Sequence, residues 1–273
     1  MSLNSYQKAC IAFFALILVS WIALFASGSK EGIFNNLFAF AYGLVPLIGG
    51  SLAVVGYRTW GGLSTILGKA IFFFGLGLFL WGCGQMTWAY YNFFLAVDVP
   101  YPSIADLFYA PSVLFYTIGT MLLARTTGAR FGLREEYGRA YAIFAPIAVL
   151  VITYNVVVLV GHGGELVSKG SDLMKAILDV AYPLGDAVSL SVAAVVAGLS
   201  FRYLGGVYRY EVILILSGLA VMFVADSVFS YMTTVGTSYN GDFGDLLFAI
   251  GMFLLTCGIL GFNKVRQAAV PAD

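Results

Sequence analysis

Eight stretches of about 20 apolar residues follow one another along the chain, at roughly 9–27, 34–57, 67–96, 104–125, 140–161, 173–202, 210–235 and 243–262. A run of that length crosses the hydrocarbon core of a bilayer as a helix. Hydrophobic residues make up 60% of the chain and charged residues only 10%, where a soluble domain carries roughly 25% charged. Fourteen Lys and Arg with fourteen Asp and Glu cannot solvate so apolar a body. The pattern predicts an all-α polytopic membrane helix bundle with eight transmembrane helices. Lys8, followed by an apolar run ending at Ala26-Ser27-Gly28, also has the outline of a signal peptide. The run is long for one, so it is read as the first span.

Orientation follows from the basic residues between spans. Lys8, Arg58, Lys69, Arg125, Arg130, Arg134, Arg139, Arg202, Arg209, Lys264 and Arg266 fall on one side, and Lys30, Lys169 and Lys175 on the other. That bias places both termini in the cytoplasm, with the protein as a multi-pass component of the cell inner membrane. Zero net charge and the lack of a long basic run argue against a nucleic-acid partner. A single histidine, His162, is too few for haem held by paired histidines or for most histidine-built zinc sites. Cys10, Cys83 and Cys257 stand alone in apolar stretches and imply no disulfide framework. Gly62 to Ala70 has one residue too many for a P-loop and lacks its closing Ser or Thr. Lys69 and Lys175 lie at span ends, where a retinal Schiff base has no use for them. No nucleophile–base pair is recognisable, so the chain reads as a non-enzyme without a cofactor.

The two halves resemble each other. Residues 91–110 and 231–250 both run from an aromatic helix end through a short loop to an Asp opening a helix, which aligns Asp106 with Asp245. Gly77, Gln85 and Tyr90 align with Gly218, Asp226 and Tyr231, and AYGLVPL (41–47) with AYPLGDA (181–187). The chain therefore divides into 1–130 and 131–273, two four-helix units. An even helix count per unit predicts a parallel pseudo-two-fold along the membrane normal.

An ionisable residue inside a span is a functional-site hypothesis, since it costs about 2.5–3.5 kcal/mol at the helix centre. Asp179 and Asp186 lie seven residues apart on span 6 with Tyr182 between them on one face. Asp226 lies on span 7, and Asp106 and Asp245 open spans 4 and 8. Trp81, Gln85, Trp88 and Asn92 form a polar-aromatic stripe on span 3. No Lys or Arg lies deep in a span to neutralise the carboxylates. They are left to bind a cation, to carry a proton, or to meet a ligand's donors in an outward water-filled cavity. Plainer readings stand beside these. Asp106 and Asp245 serve as N-caps, Asp226 and Gln85 as interhelical bridges, and Asp186 as a mender of the kink at Pro183. Asp179 is a shallow, wet residue, and the aromatics of 88–101 are an interfacial belt. Gly75, Gly77, Gly82 and Gly84 let helices approach closely.

YPSIADLFYAP (101–111) and DVAYPLGDAVSL (179–190) resemble signature segments of the multi-helix membrane sensory regions found ahead of bacterial diguanylate cyclases, cyclic-di-GMP phosphodiesterases and some histidine kinases. The resemblance covers spans 3–8 loosely. It implies an input module and carries over Asp106, Tyr182, Pro183 and Asp186 as positions matching the pattern. The chain departs from the family in having no output domain before Asp273.

These readings combine into one expectation: a membrane sensory or ligand-binding module with its site in the outer half of the bundle. Gln85, Trp88, Asp106, Asp179, Tyr182, Asp186, Asp226 and Asp245 are the candidate site residues, facing a small molecule or cation. The metal-ligating set is left unknown. Signals pass through the cytoplasmic loops, with the basic segment 125–139 as docking surface, to a cytoplasmic or membrane partner. The same segment also serves as a positive-inside anchor. A small proton- or cation-coupled transporter is the alternative, and a structural subunit of a membrane complex the second.

Overall fold

The computed structural model describes residues 3–97, 99–126, 129–161, 163–164, 167, 172–200 and 209–269. His162, Lys169 and Arg202 lie outside them, as do residues 127 and 128 of the basic segment. The helices are α1 (Ser5–Ser27), α2 (Ile33–Gly56), α3 (Ile66–Tyr90), α4 (Asp106–Ala124), the short α5 (Ala129–Gly132), α6 (Glu136–Thr153), α7 (Leu173–Ser200), α8 (Arg209–Thr234) and α9 (Phe243–Ala269). Every one but α5 is part of a helical stretch long and apolar enough to cross a membrane, which makes eight candidate spans. Their bounds lie within a few residues of the eight apolar stretches. Among the described residues there is no strand.

Local chemistry sets the ends. Asn4 caps α1 by accepting from the Gln7 amide at 2.8 Å, and the Gln7 side chain returns a bond to the Asn4 amide. The helix stops at Gly28, whose φ of 67° is a left-handed conformation that glycine adopts without a Cβ penalty. Thr65 caps α3 through Gly68 at 3.0 Å. Two helices continue as π-helical turns, Tyr91–Leu95 after α3 and Tyr154–Gly161 after α6.

The end of the bundle carrying the loops 28–32, 96–105 and 235–242 is called the upper end below. Helix contacts close a cycle: α2 packs on α3, α3 on α4, α4 on α7, α7 on α8, α8 on α9, and α9 on α2. α1 lies outside this cycle against α2 and α9, and α6 outside it against α7, with its π-helical end on α8. Little of α1 or α6 is buried, as expected for helices whose other faces meet lipid.

Glycine decides how tightly the first half packs. A Cβ on Gly50 would sit 2.3 Å from the Phe79 amide nitrogen, and one on Gly82 2.6 Å from the Leu47 Cα. Gly75 meets Ala53 in the same way, at 2.6 Å. The backbones of α2 and α3 are therefore in direct contact, the arrangement that small residues permit in membranes. The expected close-packing role of Gly75, Gly77, Gly82 and Gly84 is what the structure shows.

Candidate functional site

Starting at α9, the Asp242 carboxylate accepts from the Asp245 amide at 3.0 Å and from the Tyr239 amide at 3.1 Å. Asp242, a residue the sequence reading passed over, is thus the N-terminal cap. The expectation that Asp245 is a plain cap needs correction. Asp245 accepts from the Gly241 amide at 2.7 Å with one oxygen and from the Tyr42 hydroxyl of α2 at 2.8 Å with the other. From there the chain of bonds runs inward. Gln85 is buried and donates to the Tyr42 oxygen at 3.0 Å and to the Ala39 carbonyl at 3.2 Å. Its own carbonyl accepts from the Tyr109 hydroxyl at 2.6 Å. Trp88 donates to Asn240 at 3.1 Å, and Asn240 donates to Asn36 at 2.8 Å.

A second set forms where α4 begins. Asp106 accepts from the Ser103 amide at 2.6 Å and from the Ser103 hydroxyl at 3.2 Å. Its other oxygen takes the Tyr182 hydroxyl of α7 at 2.6 Å. The expectation that Asp106 is the N-cap needs correction as well: Ala105 holds that position, and Asp106, the first residue of α4, binds back to Ser103 and ties α4 to α7. Asp179 is only 8% exposed and pairs with Lys175 at 3.0 Å, so it is not the wet residue expected, and a Lys at the span's end, not one deep within it, meets its charge. The 175–179 spacing is one helical turn, which brings the Lys from the first turn of α7 down onto the carboxylate. Tyr101 bonds to Asp179 as well, and burial, then that bond, push its phenol above its ordinary range. The two sequence motifs interlock: Tyr101 of the first meets Asp179 of the second, and Tyr182 of the second meets Asp106 of the first.

Asp186 and Asp226 differ from the other carboxylates. Neither has a hydrogen-bond partner among the described residues, yet they lie close enough to repel each other electrostatically. Asp186 sits at the middle of α7 and Asp226 in the upper half of α8, both partly accessible. The Tyr116 hydroxyl, which shares a bond with Ser112 at 2.8 Å, is within electrostatic reach of both. Of the eight candidate residues, Gln85 and Asp245 are joined through Tyr42, Tyr182 bonds to Asp106, and Asp186 and Asp226 stand apart from these bonds. Trp88 holds the upper loop through Asn240 instead, and Asp179 is taken up by Lys175 and Tyr101. Tyr42, Tyr109 and Tyr116 were missed by the sequence reading. The signal for Tyr42 was present in its alignment with Tyr182.

No three His, Cys, Asp or Glu side chains among the described residues gather to ligate a metal. Two carboxylates with nearby hydroxyls suit a proton, a monovalent cation or an organic ammonium group, which such oxygens can hold without a third anionic ligand. Fold and site together define a multi-pass helical membrane protein with an acidic interior. No family model matches the chain, and neither a curated protein nor a solved structure is significantly similar to it.

Proposed function

We propose that this protein is a membrane sensory module that binds a proton or a small cationic group between Asp186 and Asp226 and passes the resulting helix shift to a partner. The observation that carries the reading is this pair: two carboxylates within membrane spans, Asp186 at mid-helix where an unpaired charge is most expensive and Asp226 in the upper half of α8, with no hydrogen-bond donor among the described residues. A bound proton or cation removes the repulsion between them, so occupancy favours one arrangement of α7 against α8 over another. Differential affinity of this kind is what converts binding into signal. The resemblance of residues 101–111 and 179–190 to bacterial input regions supports the sensory side of the reading. The distribution of Lys and Arg supports an inner-membrane protein with both termini cytoplasmic, its upper end facing out.

A pseudo-two-fold along the membrane normal supports placing the site in the second half. Carrying α2 onto α7 by 140 positions, α3 onto α8 by 141 and α4 onto α9 by 139 maps contacts onto contacts. Tyr42–Asp245 becomes Tyr182–Asp106. Gly77 against Tyr116 becomes Gly218 against Leu255, and Gly119 against Phe74 becomes Gly258 against Ile215. Gly49 against Thr256 becomes the Ser189–Thr117 hydrogen bond. Trp88 and Phe229, equivalent residues, touch each other at 6.3 Å between rings, as residues flanking the axis do. In this reading 1–130 and 131–273 descend from one unit, and the axis relates the three-helix cores. α1 and α6 do not follow it.

The halves then differ where the site lies. Gly50, Gly75 and Gly82 of the closely packed first half correspond to Leu190, Leu216 and Phe223, and α7 packs less closely on α8 than α2 on α3. Gln85, satisfied by Tyr42 and Tyr109, corresponds to Asp226. Tyr109 corresponds to Phe248, which has no hydroxyl to give, and Pro46 to Asp186. The looser α7–α8 contact and the two carboxylates thus fall in the same half of the bundle. A cation-coupled carrier is the second reading, favoured by the two-fold with acidic residues near mid-membrane.

The test is thermal unfolding of the detergent-purified protein across pH and a panel of monovalent cations and alkylammonium ions, with Asp186→Asn and Asp226→Asn alongside. A species bound only by the folded state raises the midpoint by mass action. The proposal expects stabilisation of the wild type that both variants lose. A wild type indifferent to pH and to every cation, with variants at least as stable, removes it.

A further inference from the structure

At the upper end, the π-helical end of α3, the start of α4 and the start of α7 enclose a crevice of about 530 Å³. Tyr91, Ser103, Asp106, Leu107, Pro111 and Met174 are among its walls. Asp106 is the first residue of α4 and Met174 the second of α7, so the mouth opens where the spans end and the aqueous phase begins. Among the described residues, Asp106 is the one carboxylate on the wall.

Asp106 is also the outer end of a line of polar groups leading inward. One of its oxygens accepts from the Ser103 amide and hydroxyl, and the other from the Tyr182 hydroxyl at 2.6 Å. Tyr182 stands four residues before Asp186 in α7, one turn above it on the same face. Side chains of a helix lean toward its N-terminus, which in α7 is the upper end, so Asp186 leans toward Tyr182. Asp186 in turn faces Asp226 of α8 and lies within electrostatic reach of Tyr116 of α4. The other titratable groups beside the line have partners of their own. Tyr109, one turn on from Asp106, donates to Gln85, while Tyr101 and Lys175 both meet Asp179.

We infer that the acidic pair takes up a proton rather than a metal or ammonium cation, and that the proton reaches it from this crevice through Asp106 and Tyr182. The inference rests on the reading of Asp186 and Asp226 proposed above. Selectivity comes from the connection itself, which is a closed hydrogen bond between side chains. A larger ion would have to break the bonds at Asp106 to pass, whereas a proton moves along them. In the step, Asp106 takes a proton from water in the crevice. The acid so formed gives a proton to the Tyr182 oxygen as the Tyr182 O–H proton passes inward to the Asp186 carboxylate. Asp106 is then a carboxylate again, Tyr182 a phenol again, and Asp186 carries one proton.

Time-resolved infrared spectroscopy of the full chain in nanodiscs, after a pH jump from a photolysed caged acid, tests this. The signal is the carboxyl band that Asp186→Asn and Asp226→Asn remove. The inference expects Asp106→Asn and Tyr182→Phe to slow its rise by about a hundredfold, as loss of a positioned proton-transfer group does. Its decay after a jump back slows by the same factor, because a relay serves both directions. Tyr182→Phe changes no charge and leaves the final amplitude and midpoint pH of the band as in the wild type. Asp106→Glu keeps a titratable carboxyl and recovers most of the rate. Tyr42→Phe removes a bond of the same kind, to Asp245, and keeps the wild-type rate. Wild-type rates in Asp106→Asn and Tyr182→Phe overturn the relay and leave the reading of the pair standing. Slowing as large in Tyr42→Phe, or a lost amplitude in Tyr182→Phe, marks a structural effect and overturns the relay too. A band that responds to sodium, potassium or alkylammonium ions at constant pH overturns the choice of the proton. A wild type without the band removes the reading of the pair, and this inference with it.

Discussion

The two tyrosine–aspartate bonds that join the halves give the sharpest quantitative prediction. Tyr42 is 2% exposed and packs near Phe38 and Trp81, with ring centroids 5.5 and 6.0 Å away. Tyr42→Phe keeps this packing and deletes one oxygen. Asp245 loses a donor at 2.8 Å and keeps the Gly241 amide. Gln85 loses an acceptor at 3.0 Å and keeps the Ala39 carbonyl. A hydrogen bond to a charged group contributes about 1.5–3 kcal/mol in proteins generally. Bonds between membrane helices average nearer 0.6 and reach about 1.7 kcal/mol. A short bond to a carboxylate belongs at the upper end of the membrane range, so about 1–2 kcal/mol is expected for the Tyr42–Asp245 coupling. The assay is a double-mutant cycle of Tyr42→Phe and Asp245→Asn, read by reversible unfolding in mixed micelles titrated with SDS. Tyr182→Phe should lose less than Tyr42→Phe, because the Tyr182 oxygen bridges no second side chain and Asp106 keeps both bonds from Ser103. Effects of Tyr42→Phe and Asp245→Asn that add within about 0.3–0.5 kcal/mol refute the claim that this bond holds the halves together.

Gly82→Ala should destabilise by about 1–3 kcal/mol, since its new methyl meets Leu47 main chain that cannot move aside; the midpoint of the same titration checks it. Lys175→Met should lower the thermal midpoint more than Lys30→Met. The first strands the buried Asp179, while Lys30 only lies over the Tyr239 ring at 5.8 Å. Tyr101 ionises at higher pH in the folded state than in the unfolded chain, so the folded state retains its proton longer. Its contribution is present below pH 10 and is lost as pH rises beyond that. Tyr101→Phe should accordingly flatten part of the alkaline fall in stability, measured as midpoint against pH.

The number, order and extent of the helices were legible because a membrane span is written in the local sequence as length and apolarity. The close packing at Gly75, Gly77, Gly82 and Gly84 was legible for the same reason. What the sequence could not give was which spans adjoin. Asp245 reads as a cap until α2 is known to bring Tyr42 to it, and Asp242 takes over the capping only once the 239–242 turn is formed. Asp179 reads as wet until Lys175, at the helix start, is seen to reach down one turn onto it. The meetings of Tyr42 with Asp245 and of Tyr182 with Asp106 depend on helix order around the bundle, which no single apolar stretch encodes.

The central claim is that Asp186 and Asp226 together hold a proton or cation. Infrared difference spectroscopy of the reconstituted protein, on acidification and on addition of sodium, potassium or an alkylammonium ion, observes carboxylates directly. The account predicts a carboxyl or carboxylate band change in the wild type that disappears in both Asp186→Asn and Asp226→Asn and survives in Asp179→Asn. A wild type with no such change, or a change that persists in both variants, contradicts it.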